Sequence, residues 1–209
     1  MKHFHTPTMA ILAGACLSLL GTNALAESTY GYNASGSSTG ASVVTANARL
    51  NLVINVPKLI LLRVGSSGAT VDTLTWNSGL TWATAPGTLT NGNNQPTDWD
   101  GAAPTAATTT NPAAVSAFAW TNSSGGGSLA YAATAFAAGG PTLGDITVTS
   151  AAGLAHPAPA VLATASTGAT AFARNTLATG SWSFALGGTP AAWTAGQYTS
   201  TVTYTATSL

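Results

Sequence analysis

The chain has 209 residues but only five Lys or Arg and five Asp or Glu, a formal net charge of zero. So little charge excludes an electrostatic footprint for nucleic acid or anionic lipid, and low net charge favours self-association over colloidal repulsion. One cysteine and three histidines leave little material for thiol chemistry or for nitrogen and sulfur metal ligation.

Residues 1–26 read as a secretory signal peptide. Lys2 and two histidines form a weakly positive start, residues 9–20 are a short apolar run, and Ala24-Leu25-Ala26 is a small-x-small cleavage site. The mature chain then begins at Glu27, passing through the periplasm to the cell surface or the medium. The apolar run is short for a membrane span, and no later segment approaches its length without charge or proline, so no span is expected. Ala13-Gly14-Ala15-Cys16 resembles a lipobox, with Ala where such a site wants Leu. Cys16 leaves with the signal, so no disulfide can form and stability must come from a core that about 183 residues can supply. Four cationic side chains against five carboxylates then leave a net charge of about −1.

Residues 27–45 are rich in Ser and Gly and read as a flexible N-terminal arm. The alternative is an extension that pairs with a neighbouring subunit, for which Tyr30 and Tyr32, sharing one parity, are the donor candidates. Residues 46–209 read as one all-β domain. Within it, residues 46–65 form the longest apolar run of β character. Leu50, Leu52, Ile54 and Val56 alternate with Arg49, Asn51 and Asn55, the period-two pattern of a half-buried strand. Pro57 bends or ends that strand. Leu59, Ile60, Leu61 and Leu62 are apolar on both parities, which predicts a strand covered on both faces. The whole stretch is expected to be the central staple of a sandwich.

Residues 71–82 predict a hairpin around the Asn77-Ser78-Gly79 turn. Residues 85–111 are loop-like, a length that suits a functional loop. Short strands are expected at 113–120 and 128–136, on either side of a Ser/Gly turn, and at 145–149 and 181–186. Residues 151–170 are ambiguous, since alanine permits helix while Pro157 and Pro159 oppose it. At the C-terminal end Tyr198, Ser200, Val202, Tyr204 and Ala206 face one way and Thr199, Thr201, Thr203 and Thr205 the other. No helical period is convincing, and eight or nine short strands with regular turns predict an all-β antiparallel β-sandwich.

Little here suits catalysis, and no cofactor is expected. His156 is the only mature histidine and reads as a surface-loop residue; there is no Gly-x-Ser-x-Gly elbow and no paired histidine. Asp98 and Asp100, following Asn91, Asn93 and Asn94, offer hard oxygen ligands for calcium, but the loop lacks the closing glutamate of an EF-hand. An Asx turn is the simpler reading. Of six tryptophans, Trp76, Trp120 and Trp182 sit in strand-like alternation and are assigned to the core. Trp82, Trp99 and Trp193 lie in or beside loops, where they either pack or form a platform for sugar rings.

The two ends of the mature chain carry a resemblance. A first strand VVTANARLNLVINVPKLI and a closing Ala195-Gly196-Gln197-Tyr198…Val202-Thr203-Tyr204 resemble secreted bacterial pilin-like sandwiches, of the spore coat U and archaic chaperone–usher fimbrial subunit type. The resemblance implies an Ig-like fold short of one strand, a non-enzymatic structural role, and assembly by β-strand addition. It also implies fellow surface subunits, a periplasmic chaperone and an outer-membrane usher as partners. The pairing candidates it marks are Leu50, Leu52, Ile54, Val56, Tyr198, Val202 and Tyr204, with the open groove beside residues 50–56 and 198–206. The alternative is a self-contained secreted adhesin or carbohydrate-binding module, with Trp82, Trp99 and Trp193 as its ligand-binding candidates.

Overall fold

The computed structural model describes residues 27–33, 43–151 and 153–209. Residues 1–26, where a signal peptide and a lipobox-like stretch are expected, and residues 34–42 of the expected arm lie outside them. The chain divides at Val56 and Pro57 into two units, and among the described residues the sheets belong to the second, Pro57–Leu209. Its strands are β1 (Ile60–Val64), β2 (Leu80–Thr81), β3 (Thr105–Ala106), β4 (Val115–Thr121), β5 (Gly127–Ala133), β6 (Ile146–Ser150), β7 (Thr170–Phe172), β8 (Ala178–Leu186) and β9 (Val202–Ser208). The helical content among the described residues is two 3-10 turns, Leu143–Asp145 and Pro190–Ala192.

All pairings between these strands are antiparallel. One sheet runs β1-β4-β8-β6 and another β7-β5-β9, with β2-β3 a separate ribbon. The two larger sheets share one core: Ala117, Ala119, Ile146, Val148, Trp182 and Phe184 from the first meet Leu129, Tyr131 and Phe172 from the second. The protein is therefore an all-β, sandwich-like fold. The chain crosses between the sheets at 122–126, where Gly126 sits at φ +77 and a Cβ would run into the Phe172 carbonyl, so glycine is required there.

The first unit corrects the expected staple. Leu50, Leu52, Ile54 and Val56 form no strand and are 65%, 82%, 86% and 75% exposed. Alternation specifies a face only where a neighbour exists to bury it, and the ladder to β4 begins at Ile60. Nearby, Arg49 pairs with Glu27 at 2.7 Å and the Thr29 hydroxyl donates to the Asn47 carbonyl at 2.5 Å.

β1 is also covered on one face rather than two. Ile60, Leu62 and Val64 turn inward, whereas Leu61 stays half exposed and the Arg63 guanidinium lies 4.0 Å over the Phe118 ring. The hairpin expected at 71–82 reduces to β2, whose partner is β3 at 105–106, inside the predicted loop. Trp120 pairs with Leu61 on the face opposite buried Ala119 and Thr121, so it is not a core residue. The last strand starts at Val202 rather than Tyr198. Within it Val202, Tyr204 and Ala206 are half-buried and Thr203, Thr205 and Thr207 exposed, the alternation its composition predicts.

Candidate functional site

The sandwich is closed on one side and open on the other. On the closed side residues 160–166 run irregularly along two strands. The Val148 amide donates to the Ala160 carbonyl at 2.6 Å and Leu162 to Ile146 at 2.9 Å, covering the outer edge of β6. Ala133 donates to Thr164, and Ser166 to Tyr131, each at 2.9 Å, where β7 no longer reaches β5. Pro157 and Pro159 keep this stretch from becoming helix, yet extended backbone still reaches both edges.

Among the described residues β1 is paired only with β4 and β9 only with β5, so each offers a row of main-chain donors and acceptors on its free side. The inward rows, Ile60, Leu62 and Val64 from β1 and Val202, Tyr204 and Ala206 from β9, pack on the core but stay half-buried. A cleft of about 430 Å³ meets the Val64 end of β1 and the Val202 end of β9, and its lining runs from residues 70–74 and Trp76 across Val115, Phe184 and Ile146 to Leu162, Phe136 and Tyr204. Its walls are predominantly apolar. Trp76 is fixed there by an indole N–H bond to Asn111 Oδ1 at 3.2 Å, and Asp72 by 2.5 and 2.6 Å bonds from the Ser66 hydroxyl and amide. Those two bonds hold the Asp72 carboxyl below its usual range.

Beneath the β9 wall lies a polar contact inside an aromatic cage. His156 Nε2 is 2.8 Å from the Tyr204 hydroxyl, with the Trp182 ring 5.1 Å and the Tyr131 ring 5.0 Å from the imidazole. His156 is 9% exposed, so it is a core residue rather than the expected surface-loop one; the buried prolyl residue that follows carries it inward. Burial pushes its pKa down to about 4, with a weaker opposing contribution from the Pro157 backbone, so the imidazole is neutral at neutral pH. Its Nδ1 makes no hydrogen bond. Burial, and then neighbouring Tyr131, raise the pKa of Tyr204, which stays a neutral phenol.

The remaining candidates are scattered. Tyr198 lies ahead of β9, its hydroxyl donating to the Thr194 carbonyl at 2.7 Å and its ring against Gly140. Tyr30 and Tyr32 are exposed. The Trp82 indole donates to Thr97 Oγ1 at 3.3 Å and is half-buried, as is Trp193; Trp99 is 59% exposed and donates to the Ala102 carbonyl at 2.8 Å. Asp100 accepts from the Ala102 amide at 2.9 Å, an Asx turn. Among the described residues no three His, Cys, Asp or Glu gather as metal ligands, and no helix is long and apolar enough to cross a membrane.

Trp76, assigned to the core from its alternation, does pack against it, as do Leu74 and Phe136. No local signal marks these three as cleft walls or Asn122 as a partner of residues 57 and 59. No family model, no curated protein and no solved structure matches the chain.

Proposed function

We propose that the protein is a non-enzymatic structural subunit of a bacterial cell-surface fimbria or extracellular matrix, assembling by β-strand addition. One observation carries this reading: an exposed row of alternate apolar side chains, Leu50, Leu52, Ile54 and Val56, in a chain whose two sheets each end in an unpaired edge strand, with an apolar cleft reached by one end of each. Residues 50–56 of one copy, once extended, span roughly 20 Å, the length of the seven-residue β9. Set into the cleft of a second copy, they cover the free edges with main-chain hydrogen bonds and lay their even-numbered side chains on the half-buried rows.

Left uncovered, the same edge invites uncontrolled pairing. A periplasmic chaperone lending a temporary strand, and an outer-membrane usher receiving the subunit, are the partners this mechanism calls for. The test is protein sheared from the native cell surface and run on an SDS gel with and without boiling. A ladder that collapses to monomer on boiling supports the reading; monomer alone in each lane sinks it.

A further inference from the structure

A subunit that carries an exposed apolar row and an unpaired β1 edge faces a competing outcome, since its own row can pair with its own edge. Only residues 57–59 separate Val56 from β1. A reversal there would lay residues 56, 54, 52 and 50 antiparallel along the free edge of β1, as a three-residue hairpin does. Such a self-closed monomer would have nothing left to assemble with.

The hydrogen bonds around Asn122 oppose that reversal. β4 ends at Thr121 because the chain must turn toward the other sheet. Beyond that point the Asn122 side chain takes over from the backbone. Its Oδ1 accepts the Leu59 amide at 2.8 Å, and its Nδ2 donates to the Pro57 carbonyl at 2.7 Å. A carboxamide carries one acceptor and two donors and so can imitate a strand's peptide group. The Asn122 amide also donates to the Leu59 carbonyl at 3.3 Å, and the Thr121 hydroxyl donates to that carbonyl at 2.9 Å. Residues 57–59 are thereby held as an extension of β1, although Pro57 has no N–H of its own to offer. A tight turn at 57–59 must first release the Pro57 carbonyl and the Leu59 amide.

We propose that Asn122 is a latch that holds residues 57–59 extended, keeps the apolar row at 50–56 from pairing with the chain's own β1 edge, and so reserves that row for a second copy. This inference rests on the assembly reading and adds the residue that biases the chain toward intermolecular pairing. Asn122 is a positioning residue: its side-chain bonds go to residues 57 and 59, and it is not part of the cleft lining. Loss of two net side-chain hydrogen bonds shifts the balance between open and self-closed chains by roughly ten- to thirtyfold.

The experiment compares the full chain with its Asn122→Ala and Asn122→Asp variants by unboiled SDS gel, and by hydrogen exchange on the monomer fraction. Asn122→Asp keeps the acceptor for Leu59 and loses the donor to Pro57. The expected result is a strong ladder for the parent chain, an intermediate one for Asn122→Asp, and a depleted ladder for Asn122→Ala. The Asn122→Ala monomers should be slow to exchange at 50–56. A residue with a merely structural role would lower the melting temperature without protecting those amides. A normal parent ladder with an unchanged Asn122→Ala ladder overturns the latch alone, as do depleted ladders whose monomers exchange freely at 50–56. A parent chain with no ladder overturns the assembly reading, and the latch with it.

Discussion

Ile54→Asp separates folding from assembly. Ile54 is 86% exposed in the single chain and lies outside the strands, so its replacement should move monomer stability by less than about 0.5 kcal/mol. In a strand seated in the cleft the same side chain faces apolar walls. Losing its burial costs about 2 kcal/mol, and an unpaired carboxylate among Val, Leu and aromatic side chains costs several kcal/mol more or must take up a proton. A penalty of about 4 kcal/mol weakens each junction roughly a thousandfold. The control is Val53→Asp, at a position of opposite parity that is 81% exposed and would face away from the cleft. The assay pairs the unboiled SDS ladder with a thermal melt of purified monomer. Ile54→Asp should abolish the ladder and leave the melt in place, and Val53→Asp should keep both. A persistent Ile54→Asp ladder, or equal loss in the two variants, would refute the reasoning.

Trp182 is fully buried at the centre of the cage and donates to the Leu154 carbonyl at 2.9 Å; Trp182→Ala should cost about 3–5 kcal/mol, seen as a melting point lower by roughly 10 °C or as failure to fold. His156 makes stability pH-dependent. Its folded pKa of about 4 lies below its ordinary 6.5, so between those values the unfolded chain takes up a proton that the folded chain refuses, and stability falls as acid is added. The contribution is whole above about pH 6.5 and lost toward pH 4, an effect of about 2 kcal/mol after partial solvent screening; urea titrations at pH 7 and 4.5 should show it, and His156→Gln should flatten it. Asp72, held low by Ser66, acts only at pH values below that window. Trp99→Ala should leave ladder and melt unchanged, since its indole bonds only within its own loop; glycan binding by the parent chain that this variant loses would instead favour the carbohydrate-binding alternative.

The strands that pair within the chain were legible wherever alternation met a neighbour that could bury it. Val202, Tyr204 and Ala206 turn inward and the intervening threonines outward, and Trp182 and Phe184 are buried as their spacing predicts. The same alternation at 50–56 misled, because periodicity reports which side chains share a face and not which chain covers it. Trp120 misled in the same way: its parity is sound, but its register opposite Leu61 puts it on the outer face. His156 was hidden by its prolines, which suggest a surface loop while in fact carrying an irregular segment against two sheet edges. Asn122 could not be read from sequence, since its partners Pro57 and Leu59 lie more than sixty residues away.

The measurement that bears most directly on strand addition is amide hydrogen exchange on native surface-sheared material, compared with the same protein dissociated by boiling and cooled in dilute solution. Strand addition predicts that residues 50–56 and the free-edge amides of β9 exchange slowly in the assembled state and within the dead time once dissociated. Equally fast exchange at 50–56 in the two states would contradict it.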